Sequence, residues 1–169
     1  MNKWYILIAC IAFVIAPLGA QKIIAQPDFS KGPGTWRLVN GAEIKKEKKI
    51  YYVHVQHADY KKSILCSLCM PSIPVNGTVK QFECSFKYRT DVVKSSPHSG
   101  AWVYYNVSAD GKPVGEHKGH PLKMAAQWTE EKFIIDIPDG TKNFFLEFRL
   151  QGHEGKFVDY ADIVIKTVE

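Results

Sequence analysis

The sequence predicts an all-β protein whose strands form a two-sheet antiparallel sandwich. Its 169 residues contain many short runs rich in Val, Ile, Tyr and Phe, and these runs are separated by Gly, Pro, Asn and Asp. No long stretch repeats apolar residues at the spacing of one helix face. Short β-branched and aromatic runs between turn residues are typical of antiparallel sandwiches and barrels.

The first 20 residues have the pattern of a secretory signal peptide. Lys3 gives a positive start, and an almost continuous apolar run from Trp4 to Leu18 ends in two small residues. This order is typical of exported proteins, and the run is shorter than the ~20 apolar residues that a membrane span needs. We expect a signal peptide at 1–20, one sandwich domain at 21–169 and a secreted, periplasmic or cell-surface location. Membrane attachment is expected only if the first segment is retained.

Charge gives little support for nucleic acid as a partner. The formal net charge of +5 falls by one to +4 when the segment containing Lys3 is removed. The lysines are spread along the chain, and their one cluster, at 45–49, lies beside Glu43 in a predicted turn. Mixed charges of this kind are typical of a solvated loop. We therefore expect no nucleic acid partner.

Nine strands are expected from the apolar runs. Asn-Gly and Asp-Gly pairs lie between several of them, and such pairs tolerate the positive φ of tight turns. The turn signals are Asn40-Gly41, Asn76-Gly77, Asp110-Gly111 and Asp139-Gly140. The predicted strands lie near 35–40, 42–45, 50–56, 62–70, 79–90, 100–108, 132–137, 143–151 and 157–168.

Alternation within four of these strands separates an apolar face from a polar one. Successive side chains of a strand point to opposite sides of the sheet. The side chains predicted to face the core are Tyr51, Val53, Val55, Phe82, Cys84, Phe86, Tyr88, Ala101, Val103, Tyr105, Val107, Phe144, Leu146, Phe148 and Leu150. The opposite faces carry aromatic rings mixed with Arg, Lys, His, Asn, Gln and Glu.

An aromatic and polar surface of this kind has the chemistry that binds a carbohydrate. The C–H faces of a sugar lie flat on aromatic rings, and its hydroxyls need paired donors and acceptors. We expect Trp102 and Tyr104 to form the stacking platform. The side chains expected to supply hydrogen bonds are Tyr52, His54, Arg89, Asn106, Arg149 and Gln151. The two arginines could instead favour an acidic or sulfated sugar through bidentate pairing.

Two alternatives stay open for the same surface. A loop or the N-terminal segment could cover Trp102 and Tyr104, because large aromatic side chains are mostly buried in monomers. The aromatic face could also dock a partner protein, since Tyr, Trp and Arg are favoured at protein interfaces. In that case the chain would be a structural or assembly protein.

Four segments carry a resemblance to a known family. The chain after the signal peptide opens with Asp28-Phe29-Ser30-Lys31-Gly32 before Trp36, and it closes with the strand Val-Asp-Tyr-Ala-Asp-Ile-Val-Ile at 158–165. Between them lie Pro-Val-Asn-Gly-Thr at 74–78 and Phe-Glu-Cys-Ser-Phe-Lys-Tyr-Arg at 82–89. These spaced residues resemble the carbohydrate-binding modules with a jelly-roll, galactose-binding-like fold. The resemblance implies a jelly-roll sandwich with a glycan groove on its concave face or at its loop edge.

The same resemblance implies a structural calcium ion between the first strand and the last. The matching positions are Asp28 and Asp162, with backbone carbonyls completing the shell, and hard oxygen ligands are those that calcium prefers. Ser30 departs from the family, whose members often have an acidic residue there. The alternative is that the two aspartates cap turns or form salt bridges. No cofactor is otherwise required.

The three cysteines that follow the signal peptide allow at most one internal disulfide. Cys66 and Cys69 form a C-x-x-C pair, but Met70-Pro71 follows at once, and strand residues three apart face opposite sides. Redox and zinc sites are therefore disfavoured. Cys66 and Cys84 both face the predicted core, as buried apolar groups or as a cross-strand disulfide. Cys69 would then be the odd thiol.

The sequence lacks the motifs of common hydrolases. It contains no Gly-x-Ser-x-Gly, no His-Glu-x-x-His and no phosphate-binding glycine loop. Glu83 and Glu147 could lie on one polar face as a carboxylate pair for glycoside hydrolysis, although any polar face contains such pairs. The expected function is a non-catalytic, extracytoplasmic glycan-binding module. A protein-docking component is the second hypothesis and a glycosidase the third.

Overall fold

The computed structural model describes residues 21–57, 59, 61–96, 99–115 and 118–168. The predicted signal peptide at 1–20 lies outside these residues. Within the described part, no helix is long and apolar enough to cross a membrane, and the one helical element is a 3-10 turn at Phe29–Lys31.

Thirteen strands of the described chain form two antiparallel sheets. The strands are β1 Ile23–Ala25, β2 Arg37–Val39, β3 Ala42–Glu47, β4 Ile50–Gln56, β5 Leu65–Cys69, β6 Ile73–Pro74, β7 Gln81–Thr90, β8 Gly100–Ala109, β9 Lys112–Pro113, β10 Lys118–Pro121, β11 Ala125–Asp136, β12 Asn143–Gln151 and β13 Phe157–Val168. Sheet A has the order β11-β7-β13-β4-β3, with β1 on β13. Sheet B has the order β10-β8-β12-β5-β2, with β6 on β12 and β9 on β8. The predicted all-β, two-sheet antiparallel sandwich is therefore confirmed.

The apolar faces of the two sheets pack against each other and form one core. The side chains named above as facing the core are all buried in it or packed against it. Ile64, which alternation places on the same face as Cys66, is instead 54% exposed. Phe148 of sheet B meets Phe86 and Tyr160 of sheet A edge-to-face, with ring centroids 5.2 and 5.0 Å apart. Each such pair contributes ~0.5–1.5 kcal/mol beyond its buried area, so the rings help to hold the sheets together.

Each predicted strand has a counterpart, but the sequence reasoning missed β1, β6, β9, β10 and the first half of β11. The residues of β10 are Lys-Gly-His-Pro, and β11 begins Ala-Ala-Gln. Gly, Pro and Ala are depleted in strands, and these segments show no apolar alternation. Both β10 and β11 are edge strands, where one neighbour suffices and the sequence signal is weaker.

The Asn-Gly and Asp-Gly pairs serve different connections. Asp110-Gly111 closes the β8–β9 hairpin with φ values of 50° and 76°. Asn40-Gly41, with φ values of 52° and 102°, instead carries the chain from β2 in sheet B to β3 in sheet A. Some strands that are neighbours in the sequence, such as β2 and β3, therefore belong to different sheets, and this decides which side chains can share a surface.

Of the two alternatives for Cys66 and Cys84, the buried apolar thiols are confirmed and the cross-strand disulfide is wrong. Cys66 lies on β5 of sheet B and Cys84 on β7 of sheet A, and both are fully buried free thiols. Stacked sheets lie ~10 Å apart, whereas a disulfide needs Cα atoms ~4.4–6.8 Å apart. Burial raises the pKa of the Cys66 thiol to about 12 and also raises that of Cys84. Both thiols therefore behave as small apolar core groups, and Cys69 is a third buried free thiol.

Candidate functional site

The eight side chains predicted to form one binding surface lie on two opposite surfaces of the sandwich. Tyr52, His54 and Arg89 alternate with core residues on β4 and β7 of sheet A. The other five alternate with core residues on β8 and β12 of sheet B, and they are Trp102, Tyr104, Asn106, Arg149 and Gln151. The prediction of a single face is therefore wrong. Alternation tells which side of its own strand a residue takes, but not which sheet the strand joins.

Strand register places the outer-face residues of sheet B in rows across the strands. One row joins Tyr104 on β8, Glu147 on β12, Cys69 on β5 and Arg37 on β2. Directly opposed residues of neighbouring strands have Cβ atoms ~4.5–5.5 Å apart. The row therefore brings an aromatic ring, a carboxylate and an exposed guanidinium onto one continuous surface.

A fixed ion pair occupies the middle of this face. Arg149 donates from Nη2 to Oε2 of Glu147 at 2.5 Å, and the hydroxyl of Ser67 donates to Oε1 of Glu147 at 2.5 Å. The Arg149 guanidinium lies 4.0 Å from the ring centroid of Tyr104 and 4.8 Å from that of Trp102. Charge-assisted hydrogen bonds and cation–π contacts thus hold both charged side chains in one geometry.

Trp102 does not offer an open ring on this face. It points outward from β8, but it is only 2% exposed. Arg149 lies over its ring, and Tyr104 meets it edge-to-face with centroids 5.9 Å apart. The expectation that Trp102 forms a stacking platform is therefore wrong in this structure. Its ring supports Arg149 and Tyr104 instead.

The accessible rings of this face are Tyr104 and Phe145. Both are half-buried, as are Asn106 and Gln151. Phe145 pairs in register with Asn106, and its ring meets Tyr104 edge-to-face with centroids 6.5 Å apart. Burial is the main cause that raises the pKa of the Tyr104 phenol, so this group remains a neutral hydrogen-bonding group at neutral pH. Phe145 was assigned to an outer face by alternation but was not recognised as part of the site.

The outer face of sheet A carries a second cluster, centred on Arg89. Its Nε donates to Asp159 at 2.7 Å, its Nη1 pairs with Glu47 at 2.7 Å, and Asp159 also contacts Nδ1 of His54 at 2.6 Å. Burial lowers the pKa of Arg89, but the hydrogen bonds and charges of the two carboxylates outweigh it and raise the pKa. Asp159 is 1% exposed although it points away from the core. Asp159 is therefore covered by the side chains of its partners.

Two aromatic rings flank Arg89. The guanidinium lies 5.2 Å from the ring centroid of Tyr52 and 4.7 Å from that of Trp128, and the two rings meet edge-to-face at 5.4 Å. Sequence reasoning missed Trp128 because it lies in the part of β11 that shows no alternation. Alternation in the predicted strand 157–168 places Asp159 on the outer face, but the sequence does not show that Arg89 and His54 contact it.

The two glutamates considered as a hydrolytic pair are separated by the core. Glu83 points outward from β7 of sheet A, where it pairs with Lys132 at 2.7 Å and Lys166 at 2.9 Å. Hydrogen bonds from Lys132 and then Lys166 lower the pKa of Glu83. Glu147 lies on the outer face of sheet B. Glycosidases need two carboxyl groups within ~5–9.5 Å of each other, so this pair is excluded.

Asp28 and Asp162, the two aspartates matched to a calcium site, line one cavity of about 440 Å³ together with Lys49. Asp162 adopts a φ of 51° where the register of β13 against β7 shifts between Ala161 and Val164. The carboxylates are hard oxygen donors of the kind that calcium prefers. The arrangement thus fits the ion in donor chemistry.

Both carboxylates of this cavity already have partners. Asp28 accepts hydrogen bonds from the N–H and the hydroxyl of Ser30 and pairs with Lys31 at 2.9 Å, while Asp162 pairs with Lys87 at 2.9 Å. The Ser30 hydroxyl is the first cause that lowers the pKa of Asp28 to about 2. In the described ranges, no group of three or more His, Cys, Asp or Glu side chains could hold a metal ion. A bound cation would have to displace the lysines and use backbone carbonyls.

Comparison with known proteins identifies the fold. No protein-family model matches the chain, and no curated protein matches it in sequence. Among solved structures, it is similar to the second N-terminal cellulose-binding domain of Cellulomonas fimi β-1,4-glucanase C, with a TM-score of 0.58 and 13% identity over 91% of this chain and 99% of that domain. It is also similar to the CBM22-1 xylan-binding domain of Paenibacillus barcinonensis Xyn10C, with a TM-score of 0.55 and 12% identity over 89% and 97% of the two chains.

A third similar structure is TmCBM61 in complex with β-1,4-galactotriose, with a TM-score of 0.55 and 13% identity over 84% of this chain and 95% of that one. At these identities the likeness shows the fold alone. The resemblance to carbohydrate-binding modules is therefore confirmed as a shared β-sandwich, while membership of the galactose-binding-like superfamily stays a prediction.

The same sandwich also occurs within longer chains. This chain spans 20% of the length of the tailspike protein 4 enzymatically active domain of bacteriophage CBA120, with a TM-score of 0.58 and 8% identity over 82% of this chain. It spans 25% of an arabinose-bound GH51 α-L-arabinofuranosidase, with a TM-score of 0.51 and 14% identity over 85% of this chain. These two likenesses again concern only the sandwich fold.

Proposed function

We propose that this sandwich, built like a carbohydrate-binding module, binds a glycan without cleaving it on the outer face of sheet B, outside the cytoplasm. The observation that carries the proposal is the combination of two half-buried rings, Tyr104 and Phe145, with the fixed Glu147–Arg149 pair on the same face. The rings supply flat apolar surface for the C–H face of a sugar. The ion pair, Asn106 and other polar side chains supply donors and acceptors for hydroxyls.

The charges of this face favour a neutral sugar. Arg149 is held by Glu147 at 2.5 Å, and on the opposite surface Arg89 is held by two carboxylates. Each guanidinium already faces at least one carboxylate, so the positive charge that would attract a carboxylate or sulfate of a ligand is largely neutralised. An acidic sugar would depend on Arg37, which is exposed on the edge strand β2.

The similar structures support this choice of ligand class. Their names describe a cellulose-binding domain, a xylan-binding domain and a module in complex with β-1,4-galactotriose. All three chains are matched over nearly their whole length. The signal peptide predicted at 1–20 supports the extracytoplasmic location.

The proposal is tested by replacing Tyr104 with alanine. Affinity electrophoresis in native gels containing xylan, β-1,4-galactan or hydroxyethylcellulose measures binding, and we expect the variant to bind at least about tenfold more weakly, ~1.4 kcal/mol. Met124→Ala is the control, because Met124 is 55% exposed and lies in the connection between β10 and β11, not on a strand of sheet B. Unchanged binding in Tyr104→Ala would remove the proposed site. A wild-type protein that binds none of the polysaccharides but forms a stable complex with another protein would favour the docking alternative.

We further propose that Asp28 and Asp162 hold a structural calcium ion together with backbone carbonyls. The ion would link the segment before β2 to β13. At a hundredfold excess of calcium over its dissociation constant, binding would stabilise the folded state by ~2.7 kcal/mol.

Adding calcium to chelator-treated protein is expected to raise the melting temperature, and Asp162→Asn is expected to abolish the rise. Asp139→Asn is the control outside the cavity, and its melting temperature is expected to rise with calcium as much as that of wild type. An identical melting temperature with calcium and with chelator would overturn the prediction.

A further inference from the structure

The cluster on the outer face of sheet A repeats the chemistry of the proposed glycan surface. On sheet B, Arg149 is fixed by Glu147 and lies against two aromatic rings. On sheet A, Arg89 is fixed by Asp159 and Glu47 and lies between Tyr52 and Trp128. The two clusters share no residue, and the core separates them.

The accessible part of the sheet A cluster combines one ring with polar groups. Trp128 is half-buried on the edge strand β11. The side chains of Glu47, Arg89 and His54 are 45%, 22% and 14% exposed. Gln56 contacts Nε2 of His54 at 3.3 Å, and its amide donates to the carbonyl of Gly155 at 3.4 Å. The surface therefore offers an indole edge, a carboxylate, an amide and an imidazole over a rigid charged base.

We propose that this cluster is a second glycan-binding surface, so that one copy of the protein binds two glycan chains on opposite sides. This goes beyond the proposed function, which needs only the outer face of sheet B. A single glycan chain lying on one sheet cannot reach the other, because two packed sheets and their side chains lie between the surfaces. The consequence of two surfaces is cross-linking of a polysaccharide by a monomer.

The charge balance of the second surface defines the ligand class. Two carboxylates, Asp159 and Glu47, face the one guanidinium of Arg89. The cluster therefore repels uronic acids and sulfated sugars, since its cation is already more than neutralised. The ligand that fits is a neutral, hydroxyl-rich sugar, which can lie against Trp128 and hydrogen-bond to Glu47 and His54.

Trp128 distinguishes a binding role of this cluster from a purely structural one. A structural network needs Asp159 to be buried with its partners, but it does not need an indole kept at the surface of an edge strand. Removing the ring should therefore affect ligand binding more than folding. Glu47→Gln offers a second variant at the rim, because its side chain is 45% exposed and contributes little to a surface ion pair.

The test measures binding and cross-linking in the same samples. The variants are Tyr104→Ala, Trp128→Ala, Glu47→Gln, the double variant of Tyr104 and Trp128, and the control Met124→Ala. Affinity electrophoresis measures binding to xylan, β-1,4-galactan and hydroxyethylcellulose. Light scattering measures cross-linking by protein that size-exclusion chromatography has shown to be monomeric.

We expect wild type and the control to cross-link one of these neutral polysaccharides. Each single alanine variant is expected to lose cross-linking and to keep a weakened gel retardation through its remaining surface, and the double variant is expected to bind at least about tenfold more weakly than either.

The two single alanine variants separate this inference from the proposed function. Cross-linking by Trp128→Ala and Glu47→Gln at the wild-type level overturns the second surface. Loss of all retardation in Tyr104→Ala also overturns it, while the surface on sheet B stands. Retention of retardation in Tyr104→Ala with its loss in Trp128→Ala supports the sheet A surface and removes the one on sheet B. If Trp128→Ala does not fold, as judged by its thermal transition, Glu47→Gln decides by the same two measurements.

Discussion

Replacing Asp159 with alanine is expected to lower the free energy of unfolding by about 3 kcal/mol, the scale measured when one partner of a buried ion pair is removed. Asp159 is 1% exposed, and its carboxylate contacts Nε of Arg89 at 2.7 Å and Nδ1 of His54 at 2.6 Å. Alanine leaves both groups without this acceptor. Glu47 remains as a partner of Arg89, but it is too exposed to replace a buried carboxylate.

Urea unfolding followed by tryptophan fluorescence measures this loss. Asp139→Ala is the matched control, because Asp139 pairs with Lys80 but its side chain is 88% exposed. Removing such a surface pair costs ~0–1 kcal/mol. If Asp159→Ala were no less stable than Asp139→Ala, the network on sheet A would contribute nothing to the fold.

Replacing Glu147 with glutamine is expected to weaken glycan binding at least about tenfold while the protein stays folded. The carboxylate of Glu147 accepts hydrogen bonds from both Ser67 and Arg149, and it thereby fixes the guanidinium against Tyr104. An amide has only one acceptor oxygen and no charge. Arg149 would lose its fixed position, and the surface would lose both a hydrogen-bonding group and its ordered ring contact.

Isothermal titration calorimetry with xylohexaose or cellohexaose separates this effect from a loss of folding, provided that the thermal transition of the variant is recorded as well. Glu154→Gln makes the same chemical change at an exposed loop position and is expected to bind like wild type. Equal affinity in Glu147→Gln and Glu154→Gln would mean that the ion pair has no part in the site.

In the four strands with clear alternation, the direction of each side chain could be read from the sequence, because the core accepts only the apolar half of an alternating strand. This is why Phe82, Cys84, Phe86 and Tyr88 were all assigned correctly to the interior. Sheet membership could not be read in this way. The long strands β7 and β8 are consecutive in the chain, yet they lie in different sheets. Residues with the same parity were therefore assigned to one surface although the core separates them.

Besides sheet membership, the sequence did not show which outward-facing side chains are buried. Trp102 is covered because Arg149, 47 residues later in the chain, packs over its ring. Asp159 is covered because Arg89 and His54 reach it from two neighbouring strands. Such burial depends on register between distant segments, and alternation within one strand carries no information about it.

The irregular start of β11 is the reason why the sequence did not reveal Trp128 as part of the Arg89 cluster. Trp128 belongs to a segment in which small and polar residues precede charged ones, and the register of β11 against β7 shifts between Ala125 and Thr129. A period-two pattern fails at such a shift. The ring that flanks Arg89 could therefore be located only from coordinates.

The central claim is that a glycan lies on the outer face of sheet B, and its most direct test is a map of amide chemical-shift changes on titration with xylohexaose, cellohexaose and β-1,4-galactotriose. The account predicts that at least one of these sugars shifts a contiguous set of amides at 67–69, 102–106 and 145–151, with saturation at a defined ligand ratio. Saturable shifts confined to other regions, or no shifts with any of the three sugars, would contradict it.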